Sequence, residues 1–248
     1  MIDPTIDARF WDFIIFGVFA LLIPGWTALV TLPRVRKLPA EELNRLRPRL
    51  YIEAIVLQWV MAAIALHPVF LRGADYSQLG LTNALPDLPR LAGGLCLVIL
   101  ALLALAWQQQ SIKRMPEGRA MVREAVQRFA FLMPRTRNER FFWIVVSLHA
   151  GVCEELFFRG YLFGVLNSLA PWWAAAIAAA LLFGMGHAYQ GVRGVASTGI
   201  IGAVAIGLYL LTGSLWMGML AHAVYDVQGG EFGRWALYGK DDSAPTHA

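Results

Sequence analysis

The chain has 248 residues, of which 58% are hydrophobic and 15% are charged. Soluble proteins average roughly 45–50% apolar and about 25% charged residues, so this composition excludes an ordinary soluble domain. The formal net charge of +4 does not indicate a nucleic-acid-binding protein, because the basic residues cluster between apolar runs, as membrane topology signals do.

Several apolar runs exceed the ~18 residues that indicate a transmembrane helix. The predicted fold is therefore all-α, a polytopic bundle of about seven transmembrane helices. In chain order, the predicted spans cover residues 10–32, 51–70, 91–107, 141–166, 172–189, 194–211 and 215–227. The last is shorter than the ~20 residues that a crossing usually needs, so we expect it to be tilted or shielded by its neighbours.

Two basic segments interrupt the first four spans. One follows the first span and includes Arg36 and Arg47, and the other covers residues 108–140. Positively charged loops stay in the cytoplasm, so with seven spans the N-terminus is predicted outside and the C-terminus inside. A compact protein of this kind is expected in a bacterial inner (plasma) membrane.

Residues 120–133, inside the second basic segment, have apolar side chains at helical spacing. Arginines such as Arg123 and Arg128 punctuate the polar side. This pattern predicts an amphipathic helix at the membrane surface, and a solvated cytoplasmic helix is the alternative.

The fourth predicted span carries Glu154, Glu155 and Arg159 in an otherwise apolar run. A charge at mid-bilayer costs ~2.5–3.5 kcal/mol on insertion scales, so such residues indicate a functional site by default. Glu155 and Arg159 are four residues apart and share a helix face, so we expect them to pair. Glu154 is turned by about 100° from Glu155 and stays free as a general base or metal ligand. A structural ion pair between helices is the alternative, but it does not need the second glutamate.

Two later spans each contribute a histidine. His187 follows Phe183 by one helical turn, and Asp226 follows His222 by the same spacing. Asp226 can hold the ring of His222 or act as a ligand itself. Each histidine taken alone is also compatible with a structural hydrogen bond between helices.

If Glu154, His187 and His222 converge, they form a set of two histidines and one carboxylate, which can hold catalytic zinc with an open position for water. Without a metal, a Glu–His pair can activate water while His222 and Asp226 stabilise an oxyanion. Both schemes predict hydrolysis, and a peptide bond is the favoured substrate.

Three motifs occur in order along the chain: Glu154-Glu155-x-x-x-Arg159, Phe183-x-x-x-His187 and His222-x-x-x-Asp226. Together they resemble the ordered motifs of the CAAX protease and bacteriocin-processing (CPBP) family of intramembrane proteases, which includes prenyl-protein endopeptidases and Abi proteins. The resemblance covers about residues 143–228. It implies an α-helical membrane peptidase whose site lies in the bundle and opens toward the cytoplasm.

The resemblance also implies roles for the motif residues. Glu154 would be the water-activating base, helped by His187, while His222 and Asp226 would complete the catalytic set. Glu155 and Arg159 would support it. The family often has Asn at the position of Asp226, and the change from an amide to a carboxylate weakens an oxyanion-donor role here. It favours a role in orienting the histidine or in binding a metal.

The sequence therefore predicts an intramembrane endopeptidase that acts on a membrane-associated or lipidated protein or peptide, with zinc as the candidate metal and a metal-free mechanism equally open. The predicted metal ligands are Glu154, His187 and His222. The alternatives are a catalytically inactive binding or immunity partner and an ion or proton transporter. The predicted organisation is a helical and loop region over residues 1–140, a catalytic bundle over 141–228 and a mobile tail over 229–248.

Overall fold

The computed structural model describes residues 4–82 and 86–239, and this part of the chain forms eight α-helices and no β-strand. The all-α prediction is therefore confirmed. The helices are α1 Phe10–Val35, α2 Ala40–Arg72, α3 Leu88–Arg114, α4 Gly118–Val126, α5 Arg137–Asn167, α6 Trp172–Gly186, α7 Val192–Thr212 and α8 Trp216–Tyr238. Short 3₁₀ turns follow α2, α4 and α6, at Tyr76–Leu79, Gln127–Leu132 and Ala188–Gln190.

Five of the described helices, α1, α2, α3, α5 and α7, are long and apolar enough to cross a membrane. Helix α6 is apolar but has only 15 residues. Helix α8 has 23 residues and carries Asp226, Glu231 and Arg234, and it is not among the five. Each predicted span coincides with a helix, so the membrane bundle is confirmed, whereas complete crossings by α6 and α8 stay a prediction.

The two basic segments meet at one end of the bundle, which we call the basic end. The guanidinium group of Arg36 donates to the carbonyl oxygen of Arg128 at 2.7 Å. Arg47 Nη1 lies 2.7 Å from Glu139 Oε1, and both side chains are buried. Because a buried charge needs a partner, this ion pair fixes the start of α5 against α2. The predicted location of both basic segments on one side agrees with these contacts.

A buried carboxylate ties α1, α2 and α5 together at the opposite end. Asp12 has no exposed surface, and its oxygens accept from Arg72 at 2.5 and 2.9 Å and from the Tyr161 hydroxyl at 2.5 Å. We call these three residues the Asp12 cluster. Nearby, the backbone N–H of Ile6 donates to the carbonyl oxygen of Gly164 at 3.1 Å. The sequence did not predict this cluster, because no spacing rule links residues so far apart in the chain.

The predicted amphipathic helix is shorter than expected. It covers Gly118–Val126 and then tightens into the 3₁₀ turn, inside which Phe129 has the non-helical angles φ −125° and ψ 25°. Val122 is buried, while Met121 is 49% exposed. Helix α4 thus packs part of its apolar face on the bundle, and its contact with a membrane surface stays a prediction.

Helix α8 continues beyond the predicted seventh span. The sequence predicted a mobile tail from Gly229, whereas α8 continues to Tyr238. The mobility of the tail stays a prediction, and residues 240–248 lie outside the described residues. The physical reason for the longer helix is close packing at Gly230, where a Cβ atom would lie 2.1 Å from Trp143 Nε1. Glycine serves here to bring two helices together rather than to loosen the chain.

Helices α5 and α8 also touch at Gly151, one turn before the acidic motif. A Cβ atom at Gly151 would lie 2.5 Å from the carbonyl oxygen of Met219 and 3.0 Å from Ala223 Cβ. Both neighbours belong to the turns of α8 that precede or adjoin His222. The absence of a side chain at Gly151 therefore sets the separation between the helix that carries Glu154 and the helix that carries His222.

We expect Gly151→Ala to lower the free energy of unfolding by about 1–3 kcal/mol, as overpacking typically does, because the added methyl meets backbone rather than a flexible side chain. Gly207→Ala is the matched control, since nothing lies within 4 Å of its Cβ position. Thermal unfolding of both variants in detergent tests this. Equal melting temperatures would contradict the tight contact.

Candidate active site

Three helices deliver the predicted catalytic side chains to one place. Glu154 lies on α5, His187 directly follows the last residue of α6, and His222 lies on α8. Glu154 Oε2 is 4.0 Å from His187 Nε2 and 3.9 Å from His222 Nε2. The structure thus brings together three residues that are far apart in the sequence, as expected from the motifs.

Both imidazole rings direct Nε2 toward Glu154. His187 Nδ1 lies 3.0 Å from the carbonyl oxygen of Phe183, and His222 Nδ1 lies 2.9 Å from Glu155 Oε1. A carbonyl and an ionised carboxylate can only accept, so in each ring Nδ1 carries the hydrogen that is donated. In a neutral ring, Nε2 then presents its lone pair to the space beside Glu154.

The free oxygen of Glu154 is buried without a partner. Its Oε2 atom has no hydrogen-bond partner among the described residues, and the Glu154 side chain is 16% exposed. Leaving a buried acceptor unsatisfied costs about 1–3 kcal/mol, more for a charged group. An oxygen in this state, between two imidazole nitrogens, is suited to accept a hydrogen bond from a water molecule.

Glu155 and Arg159 form a fully buried ion pair beside this group. Arg159 Nη1 is 2.9 Å from Glu155 Oε1, and each side chain is 1% exposed. The guanidinium carbon of Arg159 lies 4.0 Å from the centre of the Phe183 ring. The same Glu155 oxygen accepts from His222, so Glu155 connects the buried cation to the histidine.

Asp226 is more exposed than the other side chains around Glu154. Its Oδ2 atom is 3.6 Å from His222 Nε2, and its side chain is 30% exposed. Its carbonyl oxygen accepts from Trp143 Nε1 at 3.0 Å. Helical spacing alone suggested Asp226 as the residue that holds the His222 ring, but Glu155 contacts Nδ1 and Asp226 faces Nε2. The spacing rule sees only neighbours on the same helix, so it missed Glu155.

Tyr189 is a neighbour of the site that no motif indicated. Its ring centre is 5.9 Å from that of His187, and its hydroxyl accepts from Gln190 Nε2 at 3.3 Å. In this turn between α6 and α7, burial raises the pKa of Tyr189 to about 12, with added contributions from the charges of Glu154 and Asp226. If α6 continued as an α-helix, the side chains of residues 187 and 189 would point to nearly opposite sides of it. The helix instead ends at Gly186, and the turn that follows brings the two rings together. Only adjacency to His187 could have suggested it.

The side chains as placed do not fit a zinc ion. In the part of the chain that the structure describes, no group of three His, Cys, Asp or Glu side chains could hold a metal ion. Ligands at ~2.0–2.2 Å from a tetrahedral zinc lie roughly 3.3–3.6 Å from one another. The distances from Glu154 Oε2 to the two Nε2 atoms are longer, at 4.0 and 3.9 Å. Zinc binding by Glu154, His187 and His222 stays a prediction.

Part of the chain matches a known protein family. Residues 136–228 match a family model described as type II CAAX prenyl endopeptidase Rce1-like. This stretch contains α5 from its N-cap, α6, α7 and the first half of α8, with every predicted site residue. The resemblance inferred from the three motifs is thereby confirmed. A search of curated proteins and a search of solved structures each gave no significant match.

Proposed function

We propose that this protein, whose residues 136–228 are similar to Rce1-like type II CAAX prenyl endopeptidases, is an intramembrane endopeptidase. The observation that carries the proposal is the buried, unpartnered Oε2 atom of Glu154, which lies about equally far from His187 Nε2 and His222 Nε2. A carboxylate beside a directed imidazole lone pair can accept the proton of a water molecule that both groups hold.

In the proposed reaction, the water oxygen attacks the carbonyl carbon of the scissile peptide bond while Glu154 accepts a proton from that water. The carbonyl π electrons move to the carbonyl oxygen, which becomes an oxyanion. When the C–N bond breaks, Glu154 returns the proton to the leaving nitrogen. His187 orients the water through Nε2, because its Nδ1–H is committed to the Phe183 carbonyl oxygen.

Glu155 and Arg159 act through His222 in this scheme. The carboxylate of Glu155 fixes the tautomer and the ring orientation of His222 through Nδ1, and Arg159 balances the charge of Glu155. Hydrogen bonds of this kind commonly orient catalytic imidazoles. We therefore assign Glu155 and Arg159 as positioning residues and not as catalytic residues.

We propose a membrane-associated protein with a lipidated C-terminal region as the substrate. The matched family is described as a CAAX prenyl endopeptidase family. In a CAAX motif, a cysteine near the C-terminus of a protein carries the prenyl lipid. His187 directly follows the last residue of α6. Glu231, which lies beyond the site on α8, pairs with Arg140 near the start of α5. Both observations support a site that lies toward the basic end. By the positive-inside rule this end faces the cytoplasm, with the N-terminus outside and the C-terminus inside; a bacterial inner membrane stays a prediction.

The test compares new peptide termini in membranes from cells that express the wild type or Glu154→Gln at matched abundance. Loss of a general base typically lowers the rate by about 10²–10⁴-fold, so the termini produced by the wild type should vanish in the variant. Glu41→Gln is the control, because it makes the same carboxylate-to-amide change at a side chain that is 79% exposed.

Identical termini with the wild type and with Glu154→Gln would overturn the peptidase proposal. Termini that depend on Glu154 but lie in proteins without a lipidated cysteine would overturn the substrate class alone. Repeating the comparison after treatment of the membranes with a zinc chelator tests the zinc prediction. Loss of the termini that zinc restores would support it, and unchanged termini would contradict it.

A further inference from the structure

We propose that the Tyr189 hydroxyl is a catalytic residue that donates a hydrogen bond to the oxyanion formed during peptide hydrolysis. This inference rests on the proposed peptidase function and adds a residue outside the three motifs. It concerns the step at which the scissile carbonyl oxygen becomes negatively charged. Donors placed at that oxygen are commonly among the largest contributions to catalysis.

The Tyr189 ring is held in place from several sides. It lies 5.9 Å from the His187 ring at an interplanar angle of 38°, and the edge of Phe129 meets it at 6.2 Å. The 3₁₀ turn Ala188–Gln190 fixes the backbone between α6 and α7. A side chain held in this way can present its hydroxyl without a large loss of conformational entropy on substrate binding.

The hydrogen of this hydroxyl is not committed. The oxygen accepts from Gln190 Nε2 at 3.3 Å, and no acceptor for its own hydrogen occurs in residues 4–82 or 86–239. The Tyr189 ring lies against that of His187, whose Nε2 atom is 4.0 Å from Glu154 Oε2, so the phenol borders the catalytic group. An unperturbed tyrosine hydroxyl, with a pKa near ~10, is already protonated at neutral pH and can donate.

Several other polar groups of the site have no free hydrogen to donate in their present contacts. The carboxylates of Glu154 and Asp226 accept hydrogen bonds when ionised and do not donate. The Nδ1 hydrogens of His187 and His222 are donated to the Phe183 carbonyl oxygen and to Glu155.

Arg159 is too deeply buried to meet a substrate carbonyl. Its side chain is 1% exposed, it pairs with Glu155, and its guanidinium group lies against the ring of Phe183. Tyr189 is therefore a donor that these contacts leave available. It supplies what an amide would provide at the position that Asp226 occupies in this chain.

In the proposed step, water adds to the carbonyl carbon, its proton moves to Glu154, and the carbonyl electron pair moves to oxygen. The Tyr189 O–H donates to that oxygen and keeps its proton. When the C–N bond breaks, the electron pair returns to form the carbonyl, the proton on Glu154 goes to the leaving nitrogen, and the hydrogen bond weakens again. No further reactant is needed.

The experiment measures kcat and KM of the full-length protein in detergent for the wild type, Tyr189→Phe, Tyr209→Phe and Glu154→Gln. The probe is a synthetic peptide that spans the most abundant wild-type-dependent cleavage site in membranes. Tyr209→Phe is the matched control, because its buried hydroxyl has no hydrogen-bond partner among the described residues. We expect kcat of Tyr189→Phe to fall by about 10²–10³-fold with KM unchanged, as for the loss of one oxyanion donor.

A second measurement does not depend on how much of the variant folds. A phosphinate analogue of the same peptide mimics the anionic tetrahedral intermediate, and its inhibition constant should rise in Tyr189→Phe by a factor similar to the loss of kcat. In Tyr209→Phe it should stay at the wild-type value.

Each outcome decides a different point. If Glu154→Gln is inactive but Tyr189→Phe keeps the wild-type kcat and phosphinate affinity, the oxyanion role is overturned and the peptidase function stands. A rise in KM without a fall in kcat would also overturn it, because Tyr189 would then serve substrate binding alone. If Glu154→Gln is fully active, or no wild-type-dependent termini exist, the peptidase function fails and the role of Tyr189 fails with it.

Discussion

Arg159→Met should lower the free energy of unfolding by about 3–5 kcal/mol, because it leaves a buried carboxylate without its counter-charge. Arg159 and Glu155 are each 1% exposed and lie 2.9 Å apart. Methionine keeps much of the length and apolar surface of the arginine stem, so the loss reports the charge and not a cavity. Thermal unfolding in detergent and the abundance of the protein in membranes measure the effect.

The double variant Glu155→Gln/Arg159→Met separates charge from packing. It removes both charges and keeps the approximate volume, so it should recover most of the lost stability, since a buried ion pair is often replaceable by neutral groups. Glu41→Gln is the control, because its pair with Arg45 is exposed and such pairs contribute only about 0–1 kcal/mol. A double variant no more stable than Arg159→Met would show that the buried charge is not the cause.

Glu154→Gln and His187→Gln should each lower kcat by about 10²–10⁴-fold, and the double variant should lose no more than the more severe single variant. The reason is that both side chains are proposed to act on one water molecule, with Glu154 Oε2 4.0 Å from His187 Nε2. Once that water is no longer activated, removing the second group has little left to change. Cleavage kinetics of the three variants on the same peptide complete the double-mutant cycle.

His149→Gln provides the matched control for this cycle. His149 lies on α5 before the acidic motif, and its Nδ1 contacts the carbonyl oxygen of Val145, four residues earlier, as His187 contacts that of Phe183. Its contacts in the described part of the chain are with the Val145 carbonyl oxygen and the Trp59 ring, away from Glu154, so kcat should stay at the wild-type value. If the effects of Glu154→Gln and His187→Gln multiplied instead, the two residues would act on separate steps.

The local part of the site could be predicted from the sequence. Helical spacing gave the pairing of Glu155 with Arg159 and the separate direction of Glu154, because both depend only on the geometry of one helix. The three motifs gave the meeting of α5, α6 and α8. Hydropathy predicted the positions of the helices. This prediction was least accurate for α8, because the polar residues of the site and of the basic end lower the hydropathy of that helix.

Contacts that depend on packing between helices could not be predicted. The hydrogen bond from His222 to Glu155 requires the rotation of α8 relative to α5, which the close contact at Gly151 helps to set. The direction of Tyr189 depends on the angles of a short turn. The glycines after Val227 suggested a loose tail, but Gly230 packs against Trp143, and periodicity in one segment cannot reveal such a neighbour.

The Asp12 cluster imposes an order on the assembly of this protein during synthesis. Asp12 is 60 residues from Arg72 and 149 residues from Tyr161, and it contacts both. At translation rates of ~5–20 residues per second, Tyr161 leaves the ribosome roughly 7–30 s after Asp12. Until then, α1 carries a carboxylate that lacks one of its two partners, Tyr161. The N-terminal end of α1 can therefore reach its buried position only late, when α5 enters the bundle, so α1 is locked in place by a helix that is synthesised after it.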